Sequence, residues 1–345
     1  MKYLVVTSAA PPEVASAWNN CLDAAEYATH YTAPEFFREK TFEGKRAFAV
    51  LALEEATIHG VVTGFFDGRD VICGSPGSPH VCVRRGANLG EVGRALTEGL
   101  QQHARGAASY VRVHAWTEMP SFQTAGFRLQ RFEVPMCTIL LDLSKGKDSL
   151  FRQCSETRRN KIRRAIKAGV VIEEMAIEKD FDAYYELYRH WCDSKNVKPT
   201  AYERQRAIFE STENRLILVA RHQGRIVGVS TFRFRRPGMV EYAGNVSRRE
   251  ETRIRQNDLL LWRGIEWSVE QGSFGNFSMA GAHFFLQKFG GRAHSTYGYS
   301  LDRTLFRRRH VAATLRAVAL QAFHRLPESA RRRTKKLLRQ PSEAD

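Results

Sequence analysis

The sequence predicts an α/β (α+β) protein built from two similar halves and a basic helical tail. In the first half, apolar strand-like segments alternate with amphipathic helices. Both halves show the same order of predicted elements, the second time before residue 302. This order is a long helix, a strand, a short helix, a phenylalanine beside a glycine, and a strand. With 345 residues, 43% of them hydrophobic and 11% aromatic, the chain can form two cores. The alternative is that the two halves are unrelated α/β units.

The first unit is predicted to cover residues 1–143. Short apolar or alternating runs predict strands at residues 3–6, 47–53, 57–65, 109–116 and 132–143. The sequence GSPGSP at residues 74–79 predicts a loop. Asn88 is expected to cap a helix that runs to His103, because apolar residues recur on one face after it. A short helix is expected to end near Gly126, and the strand at 132–143 to close the unit.

The second unit is predicted to cover residues 144–302. After a polar linker, strands are predicted at residues 170–172, 215–221, 225–234, 239–246, 274–279 and 295–301. Helices are predicted at residues 158–168, 180–192, 202–209, 258–270 and 283–288. Gln223 and Gly224 join a hairpin, and Gly272 ends the helix at 258–270.

Positive charge is concentrated in two segments. The formal net charge is +16, and residues 303–339 contain twelve Arg or Lys but one acidic residue. The helix at 158–168 carries six cations, which indicates either an anionic partner or a solvated surface helix. Apolar residues of the tail recur at helical spacing, so residues 303–345 predict a basic amphipathic helix that contacts RNA or a membrane surface, or packs on the second unit.

The remaining composition favours a cytoplasmic protein without a metal site. The six cysteines include no C-x-x-C pair, and the spacing of Cys73, His80 and Cys82 fits no common ligand pattern. No apolar run approaches the length of a membrane span, and residues 3–6 are interpreted as a strand rather than a signal peptide.

Several segments together resemble FemABX-type enzymes, which are tandem GNAT-fold transferases. The similar segments are Arg159-x-x-Ile-Arg-Arg-Ala followed by Gly169-Val170, the helix around Leu259-Leu-Leu-Trp, and Phe285-x-x-x-Phe-Gly-Gly. The Gly126-Phe127 turn and the Leu141-Asp-Leu strand also fit. The resemblance spans about residues 1–302. It implies two tandem GNAT-like domains, each a mixed, mostly antiparallel sheet flanked by helices.

The resemblance also implies acyl transfer to an amine, and it suggests which residues take part. Such transfer needs a held amine, an oxyanion donor and a proton route. Lys288 is a candidate for stabilising oxyanion or phosphate charge, His283 for accepting the proton, and Glu241 for accepting it instead. Candidate substrate-binding residues are Arg159, Arg163, Tyr242, Asn245 and Arg292. A helix cap at His283 and core packing at Tyr242 are the structural alternatives.

One departure concerns the lysine. The family pattern Phe-Lys-x-x-Phe-Gly places its lysine where this chain has Leu286, and Lys288 lies two residues later. A shift of two residues rotates a helical side chain by about 200°. Lys288 therefore either replaces that lysine from a new direction, or the role is lost.

The acyl donor is expected to be an aminoacyl-tRNA, with acyl-CoA as the alternative and no tightly bound cofactor. The turn at residues 253–258, equivalent to the coenzyme A turn, contains no glycine and ends in Asp258. The positive charge fits an RNA donor, and the polyanion-binding candidates are Arg307, Arg308, Arg309, Arg331, Arg332 and Arg333. The acceptor is expected to be an amine on a cell-envelope precursor, a sugar or a small metabolite, and the tail would hold the protein at the inner face of the membrane. An inactive RNA- or membrane-binding module is the third hypothesis.

Overall fold

The chain forms two lobes, each built on one mixed, mainly antiparallel sheet that carries helices. A computed structural model describes residues 1–130, 137–211, 213–248 and 253–325. Parallel pairing is confined to β4 and β6 with β7 in the first sheet and to β13 with β14 in the second, among the residues described. The predicted fold class is thereby confirmed.

The elements up to residue 130 follow the predicted alternation. They are β1 (Lys2–Val6), α1 (Pro12–Asp23), β2 (Arg46–Glu54), β3 (Thr57–Asp67), β4 (Asp70–Ser75), β5 (Ser78–Pro79), β6 (Val81–Val83), α2 (Leu89–Ala104), β7 (Tyr110–Ala115), α3 (Pro120–Thr124) and β8 (Arg128–Leu129). Asn88 caps α2 as predicted, because its side-chain oxygen accepts hydrogen bonds from the amides of Gly90 and Glu91. The loop predicted at 74–79 is wrong in part, since β4 and β5 pair there in a tight hairpin.

The later elements match the predicted helices and hairpin closely. They are β9 (Cys137–Asp142), α4 (Lys147–Gln153), α5 (Glu156–Lys167), β10 (Val171–Glu174), α6 (Ile177–Lys195), α7 (Tyr202–Glu210), β11 (Arg215–His222), β12 (Arg225–Phe234), β13 (Gly238–Ser247), α8 (Gln256–Glu270), β14 (Phe274–Ser278), α9 (Phe284–Gln287), β15 (Arg292–Ser295), β16 (Tyr297–Asp302) and α10 (Arg308–Arg325).

Two strands lie in the sheet of the opposite half. The first sheet has the order β1-β2-β3-β4-β7-β16-β8, and the second has the order β10-β11-β12-β13-β14-β9-β15. Assigning the strand at 132–143 to the first unit and the strand at 295–301 to the second was therefore wrong. Residues 132–136 lie outside the described residues. Each of these strands is paired on both sides, β9 between β14 and β15 and β16 between β7 and β8, and the residue pattern of a strand does not specify which sheet it joins. A boundary between residues 143 and 144 does not separate the two sheets.

Each sheet packs one long helix against its core. Val92 and Leu96 of α2 lie over the first sheet, and α8 covers the second through Leu260, Trp262 and Ile265. Gly264 of α8 lies directly over the ring of Phe232, so that an added Cβ would be 2.2 Å from the nearest ring carbon. On the opposite faces, α1 packs against the first sheet and α6 packs against the second.

Buried arginines join the two lobes. Arg215 at the start of β11 donates to both carboxylate oxygens of Glu39, at 3.0 and 3.1 Å, and His30 lies 2.6 Å from the same carboxylate. Although burial alone raises it, the hydrogen bond from His30 and the charge of Arg215 hold the pKa of Glu39 below its usual range. Arg235 donates to Asp23 at 2.6 Å. Removing one partner from such a buried set leaves an unpaired charge, so these contacts fix how the lobes meet.

Candidate functional site

A cavity of about 480 Å³ lies between the two lobes. The wall from the first lobe comes from the segment before β2, from β3, β4 and β7, and from the β4–β5 turn, while the wall from the second lobe comes from β12, β13 and Ala280. Its lining residues are Tyr31, Phe42, Phe65, Ile72, Gly74, Ser75, Gly77, Ser78, His80, Arg112, Arg233, Glu241, Tyr242, Ala243 and Ala280. A cavity of this size fits a small molecule or one end of a larger one.

Glu241 is the one carboxylate in the lining of this cavity. It lies on β13 opposite Arg233 of β12, and cross-strand partners project to the same face of a sheet. Its Oε1 accepts a 2.8 Å hydrogen bond from the Ser78 hydroxyl of the first lobe. Its Oε2 is buried and has no hydrogen-bond partner among the described residues. Both lobes are therefore needed to form the surroundings of this carboxylate.

Burial raises the pKa of Glu241 to about 7, although the Ser78 hydrogen bond and the Arg233 charge act in the opposite direction. The carboxyl group thus exchanges its proton near neutral pH. Such a pKa is suited to a general base, which must be ionised at the working pH and still bind a proton well. Glu241 is the central residue of the candidate site because it lines the cavity, has one carboxylate oxygen without a hydrogen-bond partner among the described residues, and has a raised pKa.

Two arginines share the cavity walls with Glu241. The Arg233 guanidinium lies 4.8 Å from the centre of the Tyr31 ring and donates to the Thr41 hydroxyl at 3.3 Å. Arg112 enters from β7 of the first sheet. The Nε atoms of both arginines are buried without a hydrogen-bond partner in the part of the chain that the structure describes. Burial lowers the pKa of Arg233 to about 10, so it stays protonated at neutral pH.

His80 and the β4–β5 turn complete the wall from the first lobe. His80 is buried against the Tyr31 ring at 4.9 Å, and burial lowers its pKa to about 3, which keeps it neutral. Gly77 of the turn approaches the second lobe closely, because a Cβ at this position would lie 2.1 Å from the Ala280 carbonyl oxygen. The turn therefore needs glycine to bring Ser78 to Glu241.

Of the other predicted site residues, Tyr242 also lines the cavity. Burial raises the pKa of its hydroxyl group, and its ring packs 5.7 Å from that of Phe232. Asn245 is not in the lining; its side chain donates to the Ser230 hydroxyl at 2.9 Å and to the Val229 carbonyl at 3.2 Å.

Lys288, His283 and Arg292 lie outside the cavity lining. His283 is the exposed residue before α9 and makes no capping hydrogen bond through its side chain. Lys288 follows α9, with its ammonium group 4.7 Å from the centre of the exposed Phe284 ring. Arg292 is exposed on β15 and lies 3.7 Å from Glu26. Their catalytic and substrate-binding roles stay predictions.

The basic helix α5 uses its first arginines structurally. The buried Arg158 pairs with Asp258 in the first turn of α8, donates to the Phe285 carbonyl at 2.8 Å and lies over the Phe285 ring. Arg159 donates to the Arg152 carbonyl at 3.0 Å and also to the Cys154 carbonyl, both at the end of α4. The exposed Arg163 reaches Asn160 at 3.3 Å. Arg159 and Arg163 therefore do not meet Glu241 in one site.

Three of the six predicted polyanion-binding residues lie at or just before the start of α10. Arg307 and Arg308 are exposed, whereas Arg309 forms two 2.8 Å contacts with the Asp70 carboxylate and lies near the Tyr110 ring. Arg331, Arg332 and Arg333 lie outside the described residues. Within the described ranges, no helix is long and apolar enough to cross a bilayer, and no three His, Cys, Asp or Glu side chains are grouped to hold a metal ion.

Of the residues that line the cavity, the sequence analysis named Glu241 and Tyr242 as candidates but did not name Arg112, Arg233, Ser78 or His80. Arg112 and Arg233 each interrupt a strand whose neighbours are apolar, which is the one signal that could have found them. An arginine in such a strand lies either on a solvent face or against a second layer. The second layer here is the other lobe.

The fold, though not the sequence, is similar to that of known proteins. No protein-family model and no curated protein sequence matches this chain. A structure of FemX superimposes with a TM-score of 0.65 at 12% identity, covering 87% of this chain and 98% of that one. A tandem GNAT protein from the clavulanic acid biosynthesis pathway gives 0.57 at 14% identity, covering 88% and 99%.

A third solved structure, L-PGS from Bacillus licheniformis, gives a TM-score of 0.54 at 12% identity, covering 90% of this chain and 97% of that one. At such identities the similarity shows the fold alone. The chain has the FemABX-like tandem GNAT fold that the sequence resemblance implied.

Proposed function

We propose that this protein transfers an acyl or aminoacyl group to an amine bound between the two lobes, with Glu241 as the general base. The observation that carries this proposal is the Glu241 carboxylate, which is buried at the cavity, has one oxygen without a hydrogen-bond partner among the described residues, and has a pKa of about 7. The fold supports the reaction class, because the similar structures include a FemX and a tandem GNAT protein.

The reaction needs one proton to leave the amine. The amine nitrogen attacks the carbonyl carbon of the donor ester or thioester, and Glu241 accepts the proton that the nitrogen loses. The tetrahedral intermediate then expels the donor alcohol or thiol, which takes up the proton that Glu241 accepted, and the carboxylate is restored. Positioned proton transfer of this kind contributes about 10²- to 10⁴-fold to the rate. Lys288, Arg292 and His283 lie outside the lining of this cavity, so the oxyanion and second proton-acceptor roles expected of them stay predictions.

We propose an aminoacyl-tRNA as the donor, with acyl-CoA as the alternative. Coenzyme A pyrophosphate binds best to free amides at a helix N-terminus that has no acidic side chain. In this chain the first turn of α8 contains Asp258, which is already paired with Arg158. The net charge of +16 supports a polyanionic donor.

The tail supports action at an anionic surface inside the cell, where the acceptor would be part of an envelope precursor. Exposed apolar side chains accompany its arginines, and they are Leu305, Phe306, Val311, Leu315 and Val318. A basic helix with exposed apolar residues binds reversibly at the level of lipid headgroups. An inactive binding module is the competing function, and it predicts binding of RNA or vesicles with no acyl transfer.

The test is a mass-spectrometric search for acylated amines. The protein is incubated with a charged tRNA pool or an acyl-CoA panel, together with a mixture of amines. We expect a product with one donor class, and a loss of about 10²- to 10⁴-fold in rate for Glu241→Gln. The matched control is Glu98→Gln, which alters an exposed carboxylate of α2. Turnover that is equal in the wild type and Glu241→Gln would exclude this carboxylate as the base.

A further inference from the structure

The two arginines in the cavity have a donor capacity that the described residues do not use. Each guanidinium carries five N–H groups, and buried N–H groups are nearly always paired. The Nε atoms of Arg112 and Arg233 are nevertheless buried without a partner among the described residues. None of the ion pairs found in the described ranges joins either arginine to a carboxylate.

The cavity therefore has an excess of positive charge. Its lining contains two guanidinium groups and one carboxylate, and His80 is neutral. Both arginines are half-buried and their Nε groups are buried without a partner among the described residues, so an anion bound in the cavity would pair with donors that the protein leaves unused. Arginine is suited to this role because its planar fork donates two parallel hydrogen bonds to a carboxylate or phosphate.

Glu241 and Arg233 can contact the two ends of such a ligand. Glu241 is the cross-strand partner of Arg233, so a molecule that places an amine at the carboxylate can place an anionic group at the guanidinium. The aromatic rings of Tyr31, Phe42 and Phe65 form the remaining wall and suit a short apolar connection. A cavity of about 480 Å³ accommodates a ligand of this size.

We propose that the acceptor is a small amine that carries a carboxylate or phosphate group, held by Arg112 and Arg233 while its nitrogen faces Glu241. This proposal names the substrate class of the function proposed above and rests on it. The shared chemistry is an anionic oxygen group a few bonds from a primary amine. The carboxylate and phosphate forms are separated by the experiment.

The experiment compares matched amines with the donor that supports turnover. β-Alanine is paired with propylamine, and phosphoethanolamine with ethanolamine. We expect kcat/KM to favour the anionic member of at least one pair by about 10- to 100-fold, since hydrogen bonds between charged groups are the strong ones. The pair with the larger ratio identifies the anionic group.

Variants then connect the preference to the two arginines. In Arg233→Gln and Arg112→Gln, the ratio between the anionic and neutral amine should fall by about tenfold or more. Arg233→Lys should retain part of it, because lysine keeps the charge but loses the fork. The matched control is Arg225→Gln, an exposed arginine at the start of the same strand, which should keep the wild-type ratio.

A binding measurement keeps the proposal testable without turnover. Anionic amines should raise the melting temperature of the wild type in a saturable way, and the rise should be lost in both glutamine variants. Equal kcat/KM for anionic and neutral amines overturns the anion site but leaves the proposed function in place. Absence of any acylated amine overturns the proposed function. If Arg233→Gln changes KM for the donor rather than for the acceptor, the arginines hold the donor, and the proposal fails.

Discussion

Replacing Glu241 with glutamine should change how the stability of the protein depends on pH. The pKa of Glu241 is about 7 in the folded protein, against an ordinary value of 4.5. Between these two values the unfolded chain has lost the proton and the folded chain keeps it. The free energy of unfolding of the wild type therefore falls as pH rises, by about 1.4 kcal/mol per pH unit.

Over this window of about 2.5 pH units, the free energy of unfolding of the wild type falls by a total of about 3 kcal/mol. Glutamine does not titrate, so the free energy of unfolding of Glu241→Gln does not fall in this way. The difference between the variant and the wild type should be small and constant at acidic pH. It should then grow in favour of the variant, by about 3 kcal/mol between pH 4 and pH 8.

Urea unfolding followed by far-ultraviolet circular dichroism measures this difference without any substrate. Profiles are collected at half-unit steps from pH 4 to pH 8 for the wild type, Glu241→Gln and the control Glu98→Gln. Parallel curves for the wild type and Glu241→Gln over this range would refute the raised pKa. The same titration should appear in catalysis, with kcat/KM of the wild type rising through pH 7 as Glu241 ionises.

Three further changes test the lobe contact, the core and the tail. Glu39→Gln should lower the free energy of unfolding by about 3–5 kcal/mol in urea, because it leaves Arg215 buried and unpaired. Gly264→Ala should cost about 1–3 kcal/mol, because the new methyl group meets the Phe232 ring. Arg308→Glu should weaken tRNA binding and reduce the slope of log affinity against log salt by about 1 in a shift assay.

Each of these changes has a matched control. Glu43→Gln alters an exposed carboxylate near Glu39 and should cost less than about 1 kcal/mol. Gly275→Ala adds a methyl group with no atom within 4 Å and should leave the core intact. Arg225→Glu adds the same charge reversal outside the tail. Equal effects of a variant and its control would contradict the structural reason given for that variant.

Local structure followed from the sequence wherever the signal was local. The cap at Asn88 and the glycine at 272 mark helix ends that the structure places within about two residues of the prediction. The exchange of β9 and β16 did not follow, because pairing across more than a hundred residues leaves no periodic pattern in either strand.

The site was predicted in part for the same reason. Arg112 alternates with Val111 and Val113, and Arg233 alternates with Phe232, a pattern typical of a sheet with one face in water. The other lobe covers that face and turns the arginines into cavity walls. Glu241 could be named as a candidate from the sequence because a carboxylate on a predicted strand is a possible proton acceptor. The two arginines line the cavity only because residues distant in sequence cover them.

The exchanged strands have a consequence for how the protein is made. During translation, β7 cannot pair with β16 until nearly two hundred more residues have been synthesised. The edge at residues 110–115 stays open during that time and can pair with other extended chains. A nascent chain halted after residue 143 would display that edge together with a β9 strand that has no sheet, so we expect chaperones to act on the first half before the second is finished.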